Sequence, residues 1–396
     1  MINNIICPKY FYIYWIKMNN ETNLIQETDY KKHIAQTRSL DISFNELADM
    51  YSENELIINP DYQRLFRWNN EEQSRFIESL ILELPVPPIF VIENQDGVYE
   101  LIDGLQRVSS YLNFRGDLNF DYEDENQNKS HEKKLVLRGC DIVEKLNGYT
   151  FDTLPKTLQI KLKRNFIRLE VISKESDQEL KYHMFKRLNK GGEKLSDQEI
   201  RNCTIRILSD ELLNFIIKLS NYPSFKNTIS KIAVEEIKKK YDHELVLRYF
   251  AQKNDVESYS GSLNEFLTTF MEKVAKNEIK FDYEKEEKIF KLTFDFLSKC
   301  MGSDIFSTMK SSGSSSENFV KYYYDAFTMG VSKIVQENIL DVNKIEHLEK
   351  IQEKFKNLKD KDTIEGSKLY SKRTGSKTNL ISKQKIVFEY LRGINE

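Results

Sequence analysis

A chain of 396 residues exceeds the roughly 100–200 residues of a typical domain, so two hydrophobic cores are expected. Its 59 basic and 62 acidic residues leave a formal net charge of -3, which excludes a global field drawing the molecule onto nucleic acid or an anionic membrane. Four scattered cysteines, Cys7, Cys140, Cys203 and Cys300, lack metal-type spacing and suit reduced thiols in a cytoplasmic protein rather than a disulfide framework or a zinc site.

Residues 1–39 read as a leader, part of it disordered. Its aromatic run from Tyr10 to Ile16 has no basic region before it and no small-residue cleavage site after it, and it is too short to span a bilayer. Met18 is an alternative start, and no other stretch reaches the length of a transmembrane helix. From Ile57 to Gly116 the chain alternates among proline-rich turns, a short helix and apolar strands. Phe76, Ile77, Leu80 and Ile81 place a helix over Glu71–Leu82, and Pro85, Pro87 and Pro88 forbid its continuation. Ile89–Ile92 and Val98–Ile102 flank an Asp96-Gly97 pair, which supplies the positive φ that a tight hairpin requires. Asp117–Lys134 is too polar to bury anything and reads as a surface insertion.

A further strand is expected over Phe166–Ile172, followed by a helix ending near Leu188 and a turn at Gly191-Gly192. Ser196 with Glu199 forms a capping box that opens a second, mainly helical domain over 196–396. Helical periodicity there covers Leu208–Leu219, Glu244–Ala251, Leu263–Val274 and Glu284–Leu297. Ser311–Ser316 reads as a flexible connection, and Gly366–Lys385, with six basic residues and no acidic ones, as a basic tail that could contact phosphates or simply be solvated.

The most informative stretch is Glu100–Ser110, where an apolar strand runs through Asp103-Gly104 directly into a helix. Such a junction gathers free backbone N–H groups and the positive end of a helix dipole, which together favour an anion. Gly104 permits a sharp turn and close approach of a ligand, Arg107 can fork onto phosphate oxygens, and Asp103 can hold a metal ion or orient a water. The competing reading makes Asp103 an N-cap and pairs Arg107 with a surface carboxylate. A second cluster, Asn59–Trp68, packs two arginines beside three aromatic residues, a combination that can hold phosphate and stack on a base, or can equally be a core Tyr62 and Trp68 with exposed arginines.

Pro60-Asp61-Tyr62-Gln63-Arg64 with Trp68, Phe76–Leu80, Pro85–Pro88, Asp103-Gly104-Leu105-Gln106-Arg107, Phe185–Gly192, Leu195-Ser196 and Glu199-Ile200-Arg201 stand in the order and spacing of one family. The chain resembles the N-terminal domain of GmrSD-type restriction endonucleases over about residues 40–205. That resemblance implies an α+β protein: a ParB/sulfiredoxin-like nucleotide-binding domain over 40–195, then the helical domain. It implies that Asp103, Gly104, Gln106 and Arg107 form a phosphate site faced by Gln63 and Arg64, with Mg²⁺ on Asp103 and a nucleoside triphosphate as ligand. Leu105 stands where the family has glutamine; if that side chain points into the core little changes, and if it positioned the attacking water, hydrolysis is weak or absent. Asp242–Arg248 extends the similarity less firmly, and an N-cap with an i,i+4 Glu244–Arg248 pair is the preferred reading there.

Three functions follow from these expectations. The first is an NTP-hydrolysing component of a restriction-like anti-phage system, with Asp103, Gln106 and Arg107 as its catalytic residues. Its partners would be DNA, including modified phage DNA, and a separate nuclease subunit, since His33, His131, His183, His243 and His347 lie far apart and outside any HNH context. The second is a non-hydrolysing nucleotide or DNA sensor, and the third a ParB-like nuclease with Asp103 holding the metal. No membrane partner is expected, and oligomerisation is left open.

Overall fold

The computed structural model describes residues 24–25, 28, 36–58, 66–94, 96–119, 134–188, 196–309, 315–337, 345–360, 362–371 and 376–393. Gln63 and Arg64, the Gly191-Gly192 turn, most of the leader and most of the Asp117–Lys134 insertion lie outside them. The chain divides into two compact units, Met1–Gly192 and Glu193–Glu396.

The first unit is α+β. Strand β1 (Thr37–Ser43) begins within the stretch expected to be leader and runs straight into helix α1 (Phe44–Ser52), which Ser43 caps by accepting from the Glu46 amide. After the short β2 (Leu56–Ile57) comes α2 (Asn70–Ile81), opened by a capping box between Asn69 and Glu72. Its apolar spacing buries Phe76, Ile77, Leu80 and Ile81, as the periodicity requires. Strands β3 (Ile89–Glu93) and β4 (Tyr99–Asp103) form the expected antiparallel hairpin, with Gly97 at φ 79° and the Asn94 side chain accepting from the Asp96 and Val98 amides. Helix α3 (Leu105–Arg115), α4 (Lys156–Arg164), β5 (Phe166–Ile172) and α5 (Gln178–Leu188) complete the unit.

The strand order is β1-β5-β3-β4-β2. β5 joins the edge strand to the rest of the sheet: it pairs antiparallel with β1 from Thr37↔Ile172 to Ser43↔Phe166, and parallel with the central β3 from Ile89↔Leu169 to Ile92↔Ile172. Ile89, Val91, Leu169 and Val171 are buried, as are Phe44, Ile77, Leu80, Val108 and Leu112 on the helices. Ring centroids of Phe44 lie 6.4 Å from Phe76 and 4.7 Å from Tyr111, which ties α1 to α2 and α3 through one aromatic cluster. Helix α5 packs against β4.

The second unit is mostly helical: α6 (Asp197–Leu208), α7 (Asp210–Ser220), α8 (Pro223–Thr228), α9 (Val234–Lys238), α10 (Tyr241–Asp255), α11 (Leu263–Ala275), α12 (Tyr283–Met301), α13 (Lys321–Gln336), α14 (Ile345–Lys359), α15 (Ile364–Ser371) and α16 (Lys377–Arg392). The Ser196–Glu199 capping box is present at the start of α6. Phe215, Tyr249, Phe250, Phe270, Phe290, Phe294, Tyr324 and Phe327 form the centre of an aromatic core.

Three expectations for this half are corrected. Ser315 and Ser316 are not a flexible connection: they open strand β7 (Ser315–Phe319), which pairs antiparallel with β6 (Ser307–Met309). Gly366–Lys385 is not a free basic tail, because it runs through α15 and into α16, whose Val387, Phe388 and Leu391 are buried. Lys383 is itself buried with its ammonium 4.5 Å from the centre of the Tyr322 ring, and Lys377 is paired with Glu257 at 2.6 Å. Glu244 and Arg248 do not pair with each other. Glu244 takes Arg201 of α6 at 2.8 Å, while Arg248 forms a bidentate, buried pair with Asp325 of α13. The backbone at the N-cap of α10 is Lys240, at φ 64°.

Candidate functional site

The site is built by the junction of β4 and α3. Asp103 ends the strand, Gly104 turns the chain at φ 100° and ψ 13°, and Leu105 begins the helix. A side chain is excluded at Gly104 twice over. The left-handed φ disfavours one, and a Cβ would stand 2.5 Å from Cγ2 of Ile89. The tight turn therefore rests on the first residue of β3, and Gly104 offers no side chain to cap the amides that open α3.

Arg107, one turn into α3, is only 13% exposed at its side chain. Its Nη1 donates to the carbonyls of Pro87 and Pro88, the latter at 2.9 Å, and its Nη2 donates to Oδ2 of Asp103 at 3.1 Å. The prolines that end α2 thus have a second use: their carbonyls hold the guanidinium. Three of the five guanidinium N–H donors are engaged in this way, and the other two have no partner among the described residues. Asp103 is not an N-cap. It is the partner of Arg107, at 29% side-chain exposure.

Leu105 is 4% exposed and belongs to the core. Leu105, the position at which the motif departs from that of the family it resembles, is thus directed into the core. Gln106 faces the segment that precedes α2. Its Oε1 accepts from the backbone amides of Arg67 and Trp68, both at 3.1 Å, so it ties the turn to the segment that enters α2. The structure brings Asp103, Gly104, Gln106 and Arg107 together; Gln63 and Arg64 fall outside the described residues.

Sequence reading missed the residues that support this turn. Gln73 of α2 is fully buried, donates to the Trp68 carbonyl at 2.8 Å and accepts from Nδ2 of Asn113 of α3 at 2.8 Å. Glu78, also buried, accepts from the amides of Asp141, Ile142 and Val143 and so fixes the loop beside α2. The available signal was a polar residue on an apolar face: Gln73 lies three and four residues before Phe76 and Ile77. Among neighbouring titratable groups, burial raises the Tyr111 hydroxyl, and burial followed by the Glu78 carboxylate raises the Cys140 thiol to about 11. Neither is tuned to exchange protons near neutral pH.

Among the described residues no group of three His, Cys, Asp or Glu side chains is placed to hold a metal ion. A single carboxylate still fits Mg²⁺, which keeps several waters and completes its shell with phosphate oxygens. Asp103 supplies such a carboxylate.

The β4–α3 junction of this α+β unit thus combines a glycine turn, a helix start without a side-chain cap, one carboxylate and one anchored arginine. Residues 45–206 match the family model described as GmrSD restriction endonuclease, N-terminal domain, and this part of the chain belongs to that family. The matched domain suggests a restriction-like defence protein. No curated protein and no solved structure matches it. No helix among the described residues is long and apolar enough to cross a membrane.

Proposed function

We propose that the β4–α3 turn binds the phosphates of a nucleoside triphosphate with Mg²⁺ and hydrolyses it, and that this turnover regulates action on DNA through a separate nuclease subunit. The observation that carries the reading is the junction itself: an Asp103–Arg107 pair at 3.1 Å beside the opening amides of α3. Helix amides and a guanidinium favour phosphate oxygens, and the Pro87 and Pro88 carbonyls hold Arg107 in place before any ligand arrives. Asp103 and the phosphates would hold Mg²⁺, which when bound supplies charge neutralisation on the transferred group. The burial of Leu105 supports retention of turnover, because a side chain in the core is not available to a ligand in any case. The restriction-endonuclease family match supports DNA as the macromolecular partner, and modified phage DNA is the substrate this reading assigns.

One observation favours the sensing alternative. The carboxamide oxygen of Gln106 is occupied by two backbone amides, which leaves it badly suited to orient an attacking water. Phosphate release with each of the four ribonucleotides and Mg²⁺, with and without DNA, decides between the two. Turnover lost in Asp103→Asn supports hydrolysis at this turn; tight binding without release supports a sensor; neither binding nor release removes the nucleotide reading.

A further inference from the structure

The hydrogen bonds around Trp68 form a two-sided clamp. Its amide and that of Arg67 are held by Gln106 of α3, while its carbonyl is held by Gln73 of α2. Gln73 is in turn held by Asn113, about two turns beyond Gln106 towards the far end of α3. The Trp68 ring lies 5.8 Å from that of Phe76, so side chain and backbone are fixed to the same helix. A buried amide side chain is costly unless its donors and acceptors are used, and Gln73 and Asn113 are 0% and 5% exposed. These polar groups lie on the seam between α2 and α3, and both ends of the chain of bonds meet at Trp68.

We infer that Gln106 is a positioning residue, which couples occupancy of the β4–α3 turn to the Arg67–Trp68 segment, and not the residue that orients water. This rests on the proposed nucleotide reading of the turn. Gln106 follows the Asp-Gly turn by two residues and precedes Arg107 by one, so a ligand that orders the first turn of α3 also orders its carboxamide. The consequence passes through two hydrogen bonds to the main chain that leads into α2. Because Oε1 acts as the acceptor, a carboxylate can replace the amide here and a thioether cannot.

Hydrogen exchange of the full-length chain tests this, read on peptides covering 66–69 and 104–108, with and without Mg²⁺ and each of ATP, GTP, CTP and UTP. Without nucleotide, Gln106→Met should speed exchange at Arg67 and Trp68 at least tenfold, with β5 unchanged as a control for folding, and Gln106→Glu should restore protection. Unchanged exchange in Gln106→Met overturns the positioning role. In the wild type, a nucleotide that protects 104–108 should protect 66–69 as well, and in Gln106→Met it should protect 104–108 alone. Protection of 104–108 without 66–69 in the wild type overturns the coupling. If no nucleotide protects 104–108, the nucleotide reading fails, while the comparison without nucleotide still decides the clamp.

Discussion

Gly104 and Leu105 are adjacent, yet substitutions at the two should fail for different reasons. Gly104→Ala adds a Cβ at φ 100° and pushes it to 2.5 Å from Ile89, so a backbone penalty and an overpacking penalty combine. A loss of about 2–4 kcal/mol is expected from urea denaturation. Leu105→Gln restores the residue usual in the family, but at a position 4% exposed. Burying an amide there should cost about 2–3 kcal/mol and give no gain in phosphate release per folded molecule. A variant that hydrolyses faster without losing stability would show that position 105 reaches the ligand. At this scale the proximity of Asp103, Gly104 and Arg107 was legible in the sequence, because they lie within five consecutive residues of one strand–helix junction. The anchors of Arg107 were not. Nothing local in Pro87 and Pro88 announces that their carbonyls will accept from a guanidinium some twenty residues later.

Elements defined by local chemistry were read from sequence, and elements defined by a distant partner were not. The Asp96-Gly97 hairpin, the strand over Phe166–Ile172 and the Ser196 capping box each carry their cause within a few residues. Strand β1 does not: five of its seven residues are exposed, and its order comes from a full register with β5. Helix α16 misled for a related reason. Its lysines suggest solvent, but Val387 packs so closely on α13 that a Cβ at Gly330 would stand 2.6 Å from it. Helix α10 likewise spends its charges on other helices, through Glu244 to Arg201 and Arg248 to Asp325. Gln252 donates to the same Asp325 carboxylate at 2.6 Å, so all three groups are buried together. Asp325→Ala strands a guanidinium in the core and should destabilise the helical unit by about 3–5 kcal/mol. The double change Arg248→Met with Asp325→Leu removes both charges and should recover most of that loss, which denaturation of the three variants measures.

At the scale of the molecule, charge is nearly balanced, and pH acts through individual buried groups. Lys359 is the clearest case in the helical unit. It is 4% exposed, donates to the Asp304 carbonyl, and lies 5.8 Å from the centre of the Tyr323 ring; Lys231 meets the Asp304 carboxylate at 2.5 Å. Desolvation lowers its pKa to about 7, with Asp304 acting in the opposite direction and Lys231 adding to the fall. An unfolded lysine titrates near 10.4, so between about pH 7 and 10 the unfolded chain binds a proton that the folded one does not. Stability must therefore rise with pH through that window, and the contribution is absent below about 7, where both states are protonated. The chain has two compact units, and Lys359 belongs to Glu193–Glu396. Urea titrations at pH 6.5 and 9.5, followed by hydrogen exchange in each unit, should thus show the helical unit gaining stability at the higher pH. Lys359→Met should flatten that gain without moving the midpoint read from β5 in the first unit. An equal pH response in the variant would place the titrating group elsewhere in the aromatic core.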